Sequence, residues 1–252
     1  MTVLAARDLS VSTTSGASLL ADVSISVDAG ETVLVAGPSG SAKTTLVKAL
    51  GGLLASRPNL TVTGSVDGPA DVGFLFQNPT RQLVRRTVDH DAAFGLENRG
   101  VPREHMRERI DTWADRLDAR RYLDRDVEQL SRGETAVVAL LGSLVTDPAL
   151  VFLDEPLAPL DHRNRQLVLG AIRSVRETGT TLVIAESDLR DVLSLSDRVL
   201  VLEDGRVTRE GGPREHLRRL RSLGLHLPFS TRVALERGEE GPAVPLAGGD
   251  GA

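Results

Sequence analysis

Nine consecutive residues, Gly37-Pro38-Ser39-Gly40-Ser41-Ala42-Lys43-Thr44-Thr45, follow a short apolar run, Thr32 to Ala36, and precede a helical pattern. A glycine-rich turn between a strand and a helix aligns backbone N–H groups with the positive end of the helix dipole. That makes a cradle for phosphate. In such a loop Lys43 reaches the β- and γ-phosphates of a nucleoside triphosphate, and the Thr44 hydroxyl ligates Mg²⁺. Glycine ordinarily stands before that lysine, where this chain has Ala42. A methyl in the first helical turn need not require positive φ, so the expectation is tolerance with some crowding of the phosphate.

A second group of polar residues lies about 110 positions downstream, where Ala149-Leu150-Val151-Phe152-Leu153 runs into Asp154-Glu155-Pro156. By itself an Asp-Glu pair reads as a strand ending in solvated acids. Behind a phosphate loop, Asp154 at the strand end is placed to hold Mg²⁺, and Glu155 to polarise a water in line with the γ-phosphate.

These side chains need a framework of buried strands. Short apolar runs alternate with helical patterns, the mark of an α/β sheet. Thr32–Ala36, Val62–Val66, Asp71–Phe76, Leu150–Leu153, Thr181–Ile184 and Arg198–Glu203 read as strands. Lys43–Leu54, Arg103–Leu117 and Ser131–Val145 read as helices. A helical block, about 87–146, therefore interrupts an α/β core.

Composition narrows the class further. With 40% hydrophobic and 26% charged residues in 252, the chain can bury a core. Its longest near-continuous apolar stretch, Ala136 to Val145, is half of what a bilayer span needs, and no export signal is visible at the N-terminus. The absence of cysteine excludes disulfides, zinc-thiolate sites and a cysteine nucleophile. A net charge of −5 argues against general nucleic-acid binding. All basic residues but Lys43 and Lys48 are arginine, six of them between Arg206 and Arg221. That run reads as the solvated face of a helix over 213–223, or as a surface for anionic lipid or a partner.

In this order the pieces resemble the nucleotide-binding subunit of ABC transporters, over nearly the whole chain. Gln77 in Phe76-Gln77-Asn78-Pro79 matches that family's Q-loop, whose glutamine contacts Mg²⁺ and the lytic water and responds to the membrane partner. Leu130-Ser131-Arg132-Gly133-Glu134 stands where the family has its Leu-Ser-Gly-Gly-Gln signature, and Leu157-Ala158-Pro159-Leu160-Asp161 matches the D-loop. The likeness is closer to the ATPase of energy-coupling-factor (ECF) transporters, which import vitamins and transition-metal ions. Gln82-Leu83 after Gln77-Asn78-Pro79 is similar to that subfamily's added segment. Thr87-Val88, Ala93 to Asn98, Pro102-Arg103-Glu104, Gly224-Leu225 and Leu227-Pro228 extend the match.

The resemblance implies a P-loop NTPase: a RecA-like α/β core with an N-terminal antiparallel β subdomain and an inserted helical subdomain. It implies one domain over 1–237, with the core about 1–77 and 148–212, the helical subdomain about 78–147, a C-terminal helix about 213–223, and a flexible tail over 238–252. It also implies ATP and Mg²⁺, with Thr44, Gln77 and Asp154 as metal ligands. A transmembrane coupling subunit would meet the Gln77–Leu83 region, where Arg81, Arg85 and Arg86 either face acidic partner groups or are solvated. A second ATPase subunit would be served in trans by Ser131 and Gly133. The expected place is the cytoplasmic face of the membrane, held peripherally.

Several positions depart from the family pattern. Ser187 stands where a histidine normally bonds the γ-phosphate, so it is a catalytic candidate with a shorter reach and no charge. Arg132 adds bulk and a cation beside phosphate, and Glu134 adds repulsion. The segment Val11 to Ala17 offers no aromatic for the adenine. The expectation is one half of an asymmetric heterodimer; the alternative is a catalytically weak regulatory subunit.

Overall fold

The computed structural model describes residues 1–158 and 160–239. Along the chain run β1 (Thr2–Thr13), β2 (Ser18–Asp28), β3 (Thr32–Ala36), α1 (Lys43–Leu50), β4 (Leu60–Asp67) and β5 (Val72–Leu75). Next come α2 (Val88–Asn98), α3 (Arg103–Arg116), α4 (Arg132–Leu144), β6 (Leu150–Asp154) and α5 (His162–Glu177). Then follow β7 (Thr181–Glu186), β8 (Arg198–Glu203), β9 (Arg206–Gly211), α6 (Leu217–Ser222) and α7 (Phe229–Glu236). The chain forms two compact units, one from Met1–Pro69 together with the residues from Leu182 on, the other Ala70–Thr181. The expected tail lies, beyond Glu239, outside the described residues, as does Pro159 of the D-loop.

In the first unit β1 is the middle strand of an antiparallel sheet, between β2 and β4. Its inward side chains Leu4, Ala6, Leu9 and Val11 meet Leu20, Val23, Ile25 and Val27 from β2, the period-2 alternation of a sheet with one wet face. A second sheet pairs β3 in parallel with β7 and β8, and β9 runs antiparallel to β8. No residue of β3 or β7 is exposed, which is why their sequences are continuous apolar runs.

In the second unit β5 and β6 pair in parallel, and α4 packs against α2, α3, α5 and β5. Helix α4 is apolar almost all round, and Ala136 to Leu141 are all buried. Phe152 of β6 is fully buried and stacks on Phe74 at 4.9 Å between ring centroids. Helix α5 carries an apolar stripe of Val168, Leu169, Ile172 and Val175, all buried, and is capped by Asp161. Among the described residues no helix is long and apolar enough to cross a membrane.

Five helices differ from expectation. Helix α1 stops at Leu50 rather than Leu54, because Gly51 and Gly52 end it, Gly52 with φ +73°. The helix expected over 213–223 begins only at Leu217: residues 213–216 form a turn, in which Glu215 accepts the Gly212 N–H at 2.8 Å. Helices α5 and α7 were not anticipated, and α2 was not distinguished within the helical block. Of the six arginines in that region, Arg206, Arg219 and Arg221 pair with Asp22, Glu203 and Glu236, which suits the solvated-face reading.

Deleting the Phe152 ring leaves a cavity that a close-packed strand cannot collapse around. Phe152→Ala is expected to cost about 3–5 kcal/mol, read as a fall in the urea midpoint.

Candidate functional site

The turn between β3 and α1 is built so that backbone, not side chain, fills it. A Cβ on the buried Gly37 would lie 2.4 Å from the Leu202 carbonyl oxygen and 2.5 Å from Ser41 Oγ, so only glycine fits. The Ser41 hydroxyl is buried and makes no hydrogen bond. Lys43, 4% exposed, donates from Nζ to the carbonyls of Gly37 at 2.9 Å and Pro38 at 3.1 Å, which draws its ammonium back over the loop. No side chain caps α1, and the first N–H groups of a helix have no partners within it. An unpaired hydroxyl, a buried ammonium and an uncapped helix start within one turn suit a polyphosphate.

Ala42 corrects an expectation. It sits in the left-handed region, with φ 78° and ψ 23°; positive φ is therefore required there. An L-residue in that conformation is strained by about 1–2 kcal/mol. The strand ladder adds the switch region to this part of the fold, since Ala36 of β3 is in register with Glu186 of β7. Glu186 is 1% exposed, and its carboxylate accepts the Ser187 N–H at 3.2 Å. Asp188 is gripped by the Arg190 fork, and the Leu189 N–H donates to the His226 carbonyl at 2.9 Å. That tie between the switch and the C-terminal segment left no trace in the sequence pattern.

In the second unit, Gln77 Nε2 donates to Glu155 Oε2 at 2.8 Å. Glu155 follows the fully buried β6 and has φ +48°, another strained position at the end of a strand. Asp154 is 1% exposed. Gln82 holds the loop before it: its Oε1 accepts the Phe76 N–H at 2.7 Å, and its Nε2 donates to the Phe74 carbonyl at 2.8 Å. The side-chain amide thus continues the β5 ladder and closes the segment that carries Gln77. Gln77 and Glu155 line a cavity of about 570 Å³, with Pro79 and Arg132 on its wall. Two of the three nearby arginines are engaged inside the unit: Arg85 with Glu97 and the Phe94 face, Arg86 with Asp126.

Ser131 caps α4 in a reciprocal box. The Glu134 N–H donates to Ser131 Oγ at 3.3 Å, and Glu134 Oε2 accepts the Ser131 N–H at 2.7 Å. Arg125 takes the other carboxylate oxygen at 3.0 Å. The expected repulsion from Glu134 is corrected accordingly: its charge is turned back onto its own helix start and neutralised. Gly133 is needed because a Cβ there would meet Asn164 Oδ1 at 2.5 Å and Cβ at 2.7 Å. Among the described contacts, Arg132 remains exposed with no partner. In β1, Val11 is fully buried and offers no ring to a base.

Of the side chains expected to meet Mg²⁺, Thr44 of the first unit and Gln77 and Asp154 of the second each carry an oxygen donor. All are oxygens, the chemistry a hard divalent ion prefers.

The chain matches the family model described as ABC transporter over residues 20–158. It is 39% identical over 238 residues to the energy-coupling factor transporter ATP-binding protein EcfA1 of Lacticaseibacillus paracasei, covering 90% of this chain and 85% of that protein. To EcfA1 of Bacillus subtilis it is 35% identical over 233 residues, 88% of this chain and 83% of the relative. Among solved structures it is similar to cbiO1 from Clostridium perfringens, part of the ABC transporter complex cbiONQ. There the identity is 25% and the TM-score 0.76, over 94% of this chain and 99% of that one. An ATP-binding cassette of an ABC transporter in its ADP conformation, 24% identical with a TM-score of 0.75 over 89% and 98% of the two chains, shares the fold.

Two substitutions follow from this geometry. Ala42→Gly relieves the left-handed strain, less the entropy glycine adds to the unfolded chain, for a net gain of up to about 1 kcal/mol in the urea midpoint. Burial works to raise the Glu134 carboxyl, but the Ser131 N–H and then Arg125 outweigh it and hold it below its ordinary 4.5. A depressed carboxyl stabilises the fold above its unfolded pKa and loses that contribution as pH falls through the folded one. Glu134→Ala should therefore cost about 1 kcal/mol at neutral pH, with the gap to the parent closing in acid, seen in urea midpoints across pH.

Proposed function

We propose that this chain, which belongs to the ABC transporter family and is an ATPase of the ABC type, is the ATP-hydrolysing subunit of an ECF-type importer. Its work would be to couple ATP hydrolysis to uptake of a vitamin or transition-metal ion through a separate membrane subunit, from the cytoplasmic face. The observation that carries this is the Gly37–Thr45 loop, with glycine enforced at 37 and the Lys43 ammonium buried within it. Relatives named as ECF ATP-binding proteins, aligned over nine-tenths of the chain, support the choice of transporter class.

In this role Pro38, Ser39, Gly40, Ser41 and Ala42 present backbone around the β-phosphate, while Gly37 lets the loop close and Thr45 extends the helix start. Lys43 exchanges its two carbonyls for phosphate oxygens. Mg²⁺, when bound, neutralises charge developing between the phosphates. Glu155 accepts a hydrogen bond from the attacking water and orients it, and the Gln77 amide fixes the Glu155 carboxylate. Ser187 takes the histidine's place with a neutral hydroxyl. The segment from Gln77 to Leu83, closed by Gln82, is the surface offered to the membrane subunit, so movement there reaches Glu155 through one hydrogen bond.

Two ATPase subunits complete such a site, Ser131 and Gly133 of each serving the nucleotide of the other. Ser187 favours an asymmetric pair in which a better-formed partner does more of the turnover. The second reading, a weakly active regulatory half of such a pair, rests on the same residue.

Steady-state MgATP hydrolysis by the purified chain, titrated over protein concentration with Glu155→Gln as the blank, separates the two. A rate rising more than linearly and abolished in Glu155→Gln supports a catalytic self-dimer. In the asymmetric case the rate stays near the blank despite ATP binding, and Ser187→His raises it by roughly 10²-fold, the usual value of one contact to transition-state charge.

A further inference from the structure

The start of α4 meets the start of α5 through one side chain. Ser131 Oγ donates its single proton to Asn164 Oδ1 at 3.0 Å, while its lone pair accepts the Glu134 N–H. Asn164 is in turn oriented by the D-loop. Its backbone N–H donates to Asp161 Oδ1 at 2.8 Å, and its Nδ2 to Asp161 Oδ2 at 2.9 Å. An amide flip would set Oδ1 against the Asp161 carboxylate, so Asp161 dictates which end of the amide faces Ser131. The Asn164 N–H leads the causes that hold the Asp161 carboxyl below its ordinary value, which keeps it an acceptor. The same amide presses on Gly133, which admits no side chain.

Phosphate oxygens near neutral pH accept hydrogen bonds, and a serine has one proton to give. Resting on the assignment of Ser131 to a nucleotide held by a facing subunit, we propose that Asn164 is a positioning residue, a latch that holds the Ser131 proton away from that nucleotide. Asp161, at the end of the D-loop, sets the latch. Subunit closure then requires the hydroxyl to turn from Asn164 to phosphate, and a movement of Asp161 that rotates the amide releases it. Association of subunits is thereby weakened in the open state and made sensitive to the D-loop.

The test uses the full chain carrying Glu155→Gln, with MgATP as the probe and a second copy as the facing subunit, and reads self-association by sedimentation velocity. Asn164→Leu keeps the number of side-chain heavy atoms, at some cost in bulk, and removes the acceptor. It should lower the concentration of half-association by roughly two- to tenfold, the worth of one neutral hydrogen bond. Asn164→Asp keeps the acceptor facing Ser131 but loses the bond to Asp161 and adds a charge beside it, so it should not tighten association. In a Ser131→Ala background Asn164→Leu should change nothing, a non-additivity that loss of local structure would not produce. Unchanged or weaker association by Asn164→Leu, a shift that survives Ser131→Ala, or an ATP-binding parent that never associates overturns the latch. Asn164→Ala replaces the leucine variant if that one fails to fold. Failure of the underlying assignment looks different: the parent does not bind MgATP, or its association is indifferent to Ser131→Ala.

Discussion

Strands with no exposed residue cannot carry polar chemistry along their length, and this constraint places the charged side chains around β3, β6 and β7. β3, β6 and β7 are buried from end to end. A charged group within them would cost several kcal/mol to desolvate, so the ionisable residues are displaced to where the strands stop. Lys43 follows β3, Asp154 and Glu155 close β6, and Glu186 and Ser187 close β7. In α/β folds, ligands bind at strand ends of this kind. The sharp reversals needed there explain why Ala42 and Glu155 both take left-handed conformations despite their side chains. Strain of that kind persists only where the surrounding structure over-determines it; at Glu155 the Gln77 amide holds the carboxylate.

How much of this was legible in the sequence differs residue by residue. The phosphate loop and the acidic strand end could be read because their chemistry depends on residues adjacent in the chain, whereas Ser187 stood out only against the family pattern. The continuous apolar runs of β3 and β6 could be read because burial periodicity is local. Helix α5 carries the same kind of local pattern, with Val168, Leu169, Ile172 and Val175 at helical spacing, but its charged first turn masks it. What stayed hidden depends on partners brought together by folding. Gln82 reads as a polar residue in a loop until Phe74 and Phe76 present it with a carbonyl and an N–H. Glu134 reads as a charge beside phosphate until Arg125 and the Ser131 N–H claim it. The φ of Ala42 is likewise a property of the turn, invisible in the residue type.

The departures from the family pattern do not weigh equally once the contacts are known. Glu134 costs the signature little, because a capping box turns its carboxylate away and Arg125 balances it. Ala42 adds strain but leaves the loop's closure intact, since the forbidden Cβ is at Gly37. Ser187 has no such compensation. Its N–H is taken by the Glu186 carboxylate, a negative group, and its neighbour Asp188 is committed to Arg190. Nothing in that loop restores the cation that a histidine would bring. The asymmetry of the proposed pair therefore resides on the switch side of this chain's own nucleotide, while the face it offers to a partner's nucleotide keeps Ser131 and Gly133 in working order. On the proposed reading, such a subunit completes another site better than it runs its own, and the proposed Asn164 latch would govern when that completion is permitted.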